Sequence, residues 1–148
     1  MLKSFLCFLE KISPRLVAKV ALFVMTNPQQ RKIRTFEKNI LTLAKTDKIS
    51  FKQFSIATYE WGEGDTSILL VHGWEGRASN FGKIIPLLLK KGYKVISFDA
   101  PSHGNSSRQK VNFFDYIQLV KQVLQKQHFQ HIMAHSMGSV VTIGALAE

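Results

Sequence analysis

The chain has 148 residues, with 20 Lys and Arg against 10 Asp and Glu, 45% apolar residues and a single cysteine. This composition excludes disordered, collagen-like and low-complexity classes and bounds the chain to one globular domain at most. Cys7 alone supports neither an intrachain disulfide nor a four-cysteine zinc site, which fits a reducing compartment and a cytoplasmic location.

The formal charge is +10, which would suggest an anionic partner if it were evenly spread. It is not: residues 1–52 carry 11 basic and 3 acidic side chains (+8), and residues 53–148 carry 9 and 7 (+2). No aromatic interleaving, zinc pattern or recognition helix accompanies Arg31, Lys32, Arg34 and Lys38, so they read as a solvated face and no nucleic acid is expected.

The first 26 residues show apolar positions at helical spacing: Leu2, Phe5, Leu6, Leu9 and Ile12, then Leu16, Val17, Val20, Phe23 and Val24. Ser13-Pro14 divides them into two short helices, with Ser13 as N-cap, and Asn27-Pro28 closes the second. Glu10-Lys11 interrupts the apolar stretch and no small-residue cleavage site follows, so this is no signal peptide; the runs are also too short to span a membrane. Two readings stand. Residues 1–26 make weak peripheral contact with the inner face of a membrane, Lys3, Lys11, Arg15 and Lys19 facing anionic lipid, or they form an extra helical layer packed on the domain. The leader is taken as residues 1–47.

From residue 48 the pattern changes. Ile49 to Phe54 and Ile56 to Trp61 alternate as two half-exposed strands separated around Ser55, and Gly62 to Asp65 form a turn. Ile68 to Val71, Val95 to Phe98 and His131 to Ala134 are short apolar runs of the kind that suit parallel strands covered on both faces. Between them, Phe81, Ile84, Ile85, Leu88 and Leu89 form a helical stripe capped at Ser79 or Asn80 and stopped at Gly92. Phe113, Tyr116, Ile117, Val120, Val123 and Leu124 form a second. Strands alternating with helices predict an α/β fold: a mostly parallel sheet with flanking helices, preceded by a basic helical N-terminal segment.

Chemistry is expected at the carboxyl ends of such strands, and three turns there are informative. In His72-Gly73-Trp74, Gly73 permits a tight turn that aims the Trp74 N–H into a cleft, towards a developing negative oxygen. In Asp99 to Ser106, the Asp99 carboxylate reads as a structural acceptor across the bend that carries His103 and Gly104. In Ala134-His135-Ser136-Met137-Gly138, a serine sits between an apolar strand and a helix. The positions two before and two after it, Ala134 and Gly138, are small, and the helix start offers a free N–H at Met137.

Together these three turns, in this order and each after its strand, resemble the α/β-hydrolase family over residues 49 to 148. The resemblance implies Ser136 as nucleophile, an oxyanion hole from the N–H groups of Trp74 and Met137, and an antiparallel leading strand pair. It implies a small-molecule acyl substrate, an ester, thioester or amide, and no metal or organic cofactor. Ala134 departs from the more usual glycine, and Ser139 stands where many relatives carry another.

In that family an acid and then a histidine follow the nucleophile. The 12 residues from Met137 to Glu148 contain no histidine. His72, His103 and His135 belong to the turns, with His135 read as a packed elbow residue, and His128 and His131 lie at the far end of the strand leading to Ser136. The chain is therefore expected to stop just past the nucleophile helix, with little or no activity of its own. Serine hydrolysis and a non-catalytic remnant or interaction protein both remain readings of this sequence.

Overall fold

The computed structural model describes residues 13–29 and 32–147. The helix expected through Leu2 to Ile12 lies outside the described residues.

Helix α1 (Pro14–Thr26) starts as its sequence dictates, with Pro14 in the first turn and the Ser13 side chain accepting from the Leu16 N–H. Several of its described apolar side chains face outward: Leu16 is 48% exposed, Val20 42%, Leu22 63% and Phe23 64%. Helix α2 (Thr35–Thr42) replaces what reads in sequence as a polar stretch. Its Ile40 is buried, and the Ile40 carbonyl accepts from the Trp61 indole at 2.8 Å, which ties α2 to the sheet.

The sheet has five strands: β1 (Lys45–Phe51), β2 (Phe54–Trp61), β3 (Thr66–Val71), β4 (Tyr93–Phe98) and β5 (His131–Ala134), in the order β1-β2-β4-β3-β5. β3 runs parallel to β4 and β5, whereas β2 is antiparallel to both β1 and β4. The first hairpin turns at Lys52-Gln53 rather than at Ser55. Phe51 pairs with Phe54 across it, both buried with ring centroids 6.3 Å apart, and Lys52 takes φ +49°.

Side chains alternate across β3 and build a core on each face of the sheet. Leu69 and Val71 meet Phe98, Tyr116, Val120 and Val141 on one face, and Ile68 and Leu70 meet Trp61, Phe81, Ile85 and Val95 on the other. The helical stripe expected from Ser79 to Leu89 is instead split into a 3-10 turn (Ala78–Phe81) and helix α3 (Ile85–Lys90). Pro86 is the cause: without an N–H, and with a ring that crowds the preceding turn, it is tolerated only where a helix begins. Gly92, at φ +78°, stops α3. Helix α4 (Phe113–Lys126) is opened by a reciprocal Asn112–Asp115 cap, and α5 (Met137–Ala147) follows β5 directly.

Candidate active site

The elbow between β5 and α5 carries Ser136. The His135 N–H donates to the Val71 carbonyl at 3.0 Å, so pairing to β3 persists to the residue before the serine, and the chain then reverses at once into the helix. The reversal forces Ser136 to φ +54°, the left-handed region, which costs a non-glycine residue about 1–2 kcal/mol. The surroundings must hold such strain in place, and it concentrates at functional sites. The same geometry leaves Ser136 exposed at the N-terminus of α5, where the helix dipole favours negative charge. Gly138 shows why the elbow needs small residues: a Cβ there would strike the carbonyl oxygens of Val71 and His72, the latter at 2.5 Å. His135 is exposed rather than packed, because among the described residues no strand lies on the far side of β5.

The turn after β3 touches this elbow. A Cβ on Gly73 would lie 3.1 Å from the Ser136 Cβ and 3.2 Å from the His135 carbonyl. His72 fixes the turn from beneath: its Nε2 accepts the Ala100 N–H at 2.9 Å, which leaves Nδ1 protonated to donate to the Gly73 carbonyl at 2.7 Å. The Tyr116 hydroxyl donates to the His72 carbonyl at 2.6 Å. Burial of the ring lowers the His72 pKa to about 4, so the imidazole is neutral with both nitrogens engaged. No backbone hydrogen bond of the described turns and loops uses the N–H of Trp74 or of Met137.

The turn after β4 is organised around Asp99. Its buried carboxylate accepts from the Ala78 N–H at 2.7 Å, the Asn105 N–H at 2.7 Å and the Tyr59 hydroxyl at 2.8 Å, and Gly104, at φ +48°, lies against it. Burial raises the Asp99 pKa, while these donors oppose the rise. His103 is likewise buried, with its pKa lowered to about 4 chiefly by burial. Its Nδ1 donates to the Pro101 carbonyl at 2.8 Å, and its ring packs edge-on against Trp74 at 4.8 Å. Its Nε2 has no partner among the described residues. His128 and His131 lie at the opposite end of β5, where His131 packs edge-on against Tyr93.

These turns open onto a cleft of about 640 Å³ lined by Gly73, Trp74, His135 and Ser136, and closed on one side by α2 and the 3-10 turn through Arg34, Glu37 and Asn80. Glu37 is buried, accepting from the Arg34 N–H at 2.6 Å and from the Asn80 side-chain amide. None of these three was singled out from sequence as part of a site. The available signal was the four-residue spacing of Phe36 and Ile40 inside a charged stretch.

Comparison with known proteins agrees with the fold. The family model described as alpha/beta hydrolase fold matches residues 66–147. The chain is 30% identical over 108 residues to a probable serine hydrolase of Drosophila melanogaster, covering 63% of this chain and 32% of that protein. A serine hydrolase-like protein of Dictyostelium discoideum is 35% identical over 92 residues, covering 57% and 26%. The chain thus spans about a third or less of the length of these two relatives. Among solved structures, the thioesterase domain from the curacin biosynthetic pathway superposes with a TM-score of 0.61 at 22% identity, over 66% of this chain and 39% of that one, which shows the fold. On the elbow, the strand order and the family match over residues 66–147, the chain belongs to the α/β-hydrolase fold family.

Proposed function

We propose that Ser136 is the nucleophile of acyl transfer from an ester, thioester or amide to water. The observation that carries this reading is the strained, exposed backbone of Ser136 at the strand-to-helix reversal, in contact with the Gly73 turn. In this reading the Ser136 Oγ attacks the substrate carbonyl. The N–H groups of Trp74 and Met137 then stabilise the tetrahedral oxyanion, aided by the N-terminus of α5. His72 and Asp99 act on the scaffold: one holds the oxyanion turn and the other the loop beneath it.

Attack also requires a base to take the Oγ proton. Among the described residues no hydrogen bond joins the Ser136 side chain to a histidine or a carboxylate. His72 has both ring nitrogens engaged, and His103 is buried in the loop beneath Trp74. With no such base among the described residues, positioning and the oxyanion hole remain, which in serine hydrolases leave on the order of 10³-fold acceleration over water. The same observation favours a second reading, a non-catalytic interaction protein on a hydrolase scaffold. The test is hydrolysis of an activated acyl ester with imidazole added as an external base. Slow turnover that rises with imidazole and is lost in Ser136→Ala supports the hydrolase. Turnover indifferent to Ser136→Ala favours the second reading, and fast turnover without imidazole contradicts the missing base.

A further inference from the structure

We propose that α1 docks on an anionic lipid surface and sets the mouth of the Ser136 cleft beside it. Leu16, Val20 and Phe23 lie on one side of α1 at helical spacing and are exposed, an apolar stripe with no partner element to cover it among the described residues. The charge of the helix is one-sided in kind: Pro14–Thr26 contains Arg15 and Lys19 and no acidic residue. At the end of the helix, Phe23 borders a groove of about 410 Å³ that also holds Pro28 and the exposed Arg108, adding a cation beside the apolar stripe. The helix of 13 residues is about 20 Å long, short of the roughly 30 Å of a bilayer core, so it lies along a surface rather than crossing it.

Charge decides between lipid and a second copy of the chain. A second copy of α1 carries no acidic residue to meet Arg15 and Lys19, whereas an anionic surface satisfies both while the stripe enters the headgroup boundary. The cleft follows from the chain path. Just past α1, the Gln29 N–H approaches the Glu75 carboxylate at 3.4 Å, and Glu75 is the residue after Trp74. The docked helix therefore holds the oxyanion turn near the lipid. The orientation matters to function only if Ser136 works there, and so rests on the proposed hydrolase reading.

Sedimentation of the whole chain with phosphatidylcholine vesicles, with and without phosphatidylglycerol, tests the docking. Binding is expected only to the acidic vesicles and is expected to fall with salt. Each cation near such a surface is worth about fivefold in partitioning, so Arg15→Gln with Lys19→Gln weakens binding about 25-fold. Phe23→Ser, at an exposed position, weakens it further without touching the fold. Brominated lipid in the vesicles is expected to quench fluorescence in the parent chain, and Trp74→Phe to remove most of that quenching. Equal binding to neutral and acidic vesicles, no binding to either, or a solution dimer dispersed by Phe23→Ser overturns the docking. Quenching unchanged in Trp74→Phe overturns the orientation. Loss of Ser136 reactivity with vesicle binding intact overturns the hydrolase reading alone.

Discussion

Replacing Gly138 by alanine tests whether the elbow is held as tightly as its geometry demands. The added methyl would meet two backbone oxygens, of Val71 and His72, the second at 2.5 Å. Neither oxygen is free to move: the Val71 carbonyl accepts the His135 N–H at 3.0 Å and the His72 carbonyl accepts the Tyr116 hydroxyl at 2.6 Å. Relief therefore requires α5 to lift from the end of β3. Overpacking of this kind costs about 1–3 kcal/mol, against a gain of at most about 1 kcal/mol from alanine's higher helix propensity. The balance is a loss of about 1–2 kcal/mol, read as a drop of about half to one molar in the urea midpoint. Gly144→Ala is the internal control on the same helix. There the nearest atom is the end of the Ile117 side chain at 3.1 Å, which can yield, so stability stays within about 1 kcal/mol of the parent. If Gly138→Ala proves as stable as the parent or as Gly144→Ala, the close approach of α5 to β3 is not what shapes the elbow.

Further outcomes follow from the buried polar groups. His72 and His103 titrate near 4 in the fold against 6.5 in the unfolded chain, which therefore binds more protons between those values. Stability should fall as pH drops through that window, by about 2 kcal/mol at about pH 5 for His72 alone, with the raised Asp99 carboxyl offsetting part of the loss. Thermal unfolding followed downward from neutral pH measures this, and a flat or rising melting temperature would contradict it. Tyr116→Phe removes the 2.6 Å bond to the His72 carbonyl and should cost about 1–2 kcal/mol in urea melts, with slower reaction at Ser136 if the proposed role holds; unchanged stability and reactivity would separate Tyr116 from the turn after β3. Asp99→Ala leaves the Ala78 and Asn105 N–H groups and the Tyr59 hydroxyl without their acceptor and should cost about 3–5 kcal/mol, with a loss below about 1 kcal/mol counting against its role in the loop.

What the sequence made legible was what is written locally. Ile68 to Val71 in β3 and Val95 to Phe98 in β4 are mostly apolar because both faces of the sheet are covered, and Gly73, Gly104 and Gly138 mark places where one backbone must pass close to another group. Ser13-Pro14 likewise announces a helix start through its own hydrogen bond. The features that escaped depend on distant partners. Helix α2 was hidden because Glu37 looks like a solvated charge until Asn80 and the Arg34 N–H are seen to hold it inside. The Lys52-Gln53 turn carries neither glycine nor proline and is set by Phe51 meeting Phe54. The exposure of His135 follows from the place of β5 at the end of the strand order, which no local pattern encodes.

The proposal that matters most is that Ser136 is the nucleophile, with no base for it among the described residues. The direct measurement is the intact mass and modified position of the chain after exposure to an activated fluorophosphonate, with and without imidazole. A single adduct on Ser136 that forms faster with imidazole and is absent in Ser136→Ala is expected. No adduct under either condition, or one that persists in Ser136→Ala, would contradict it.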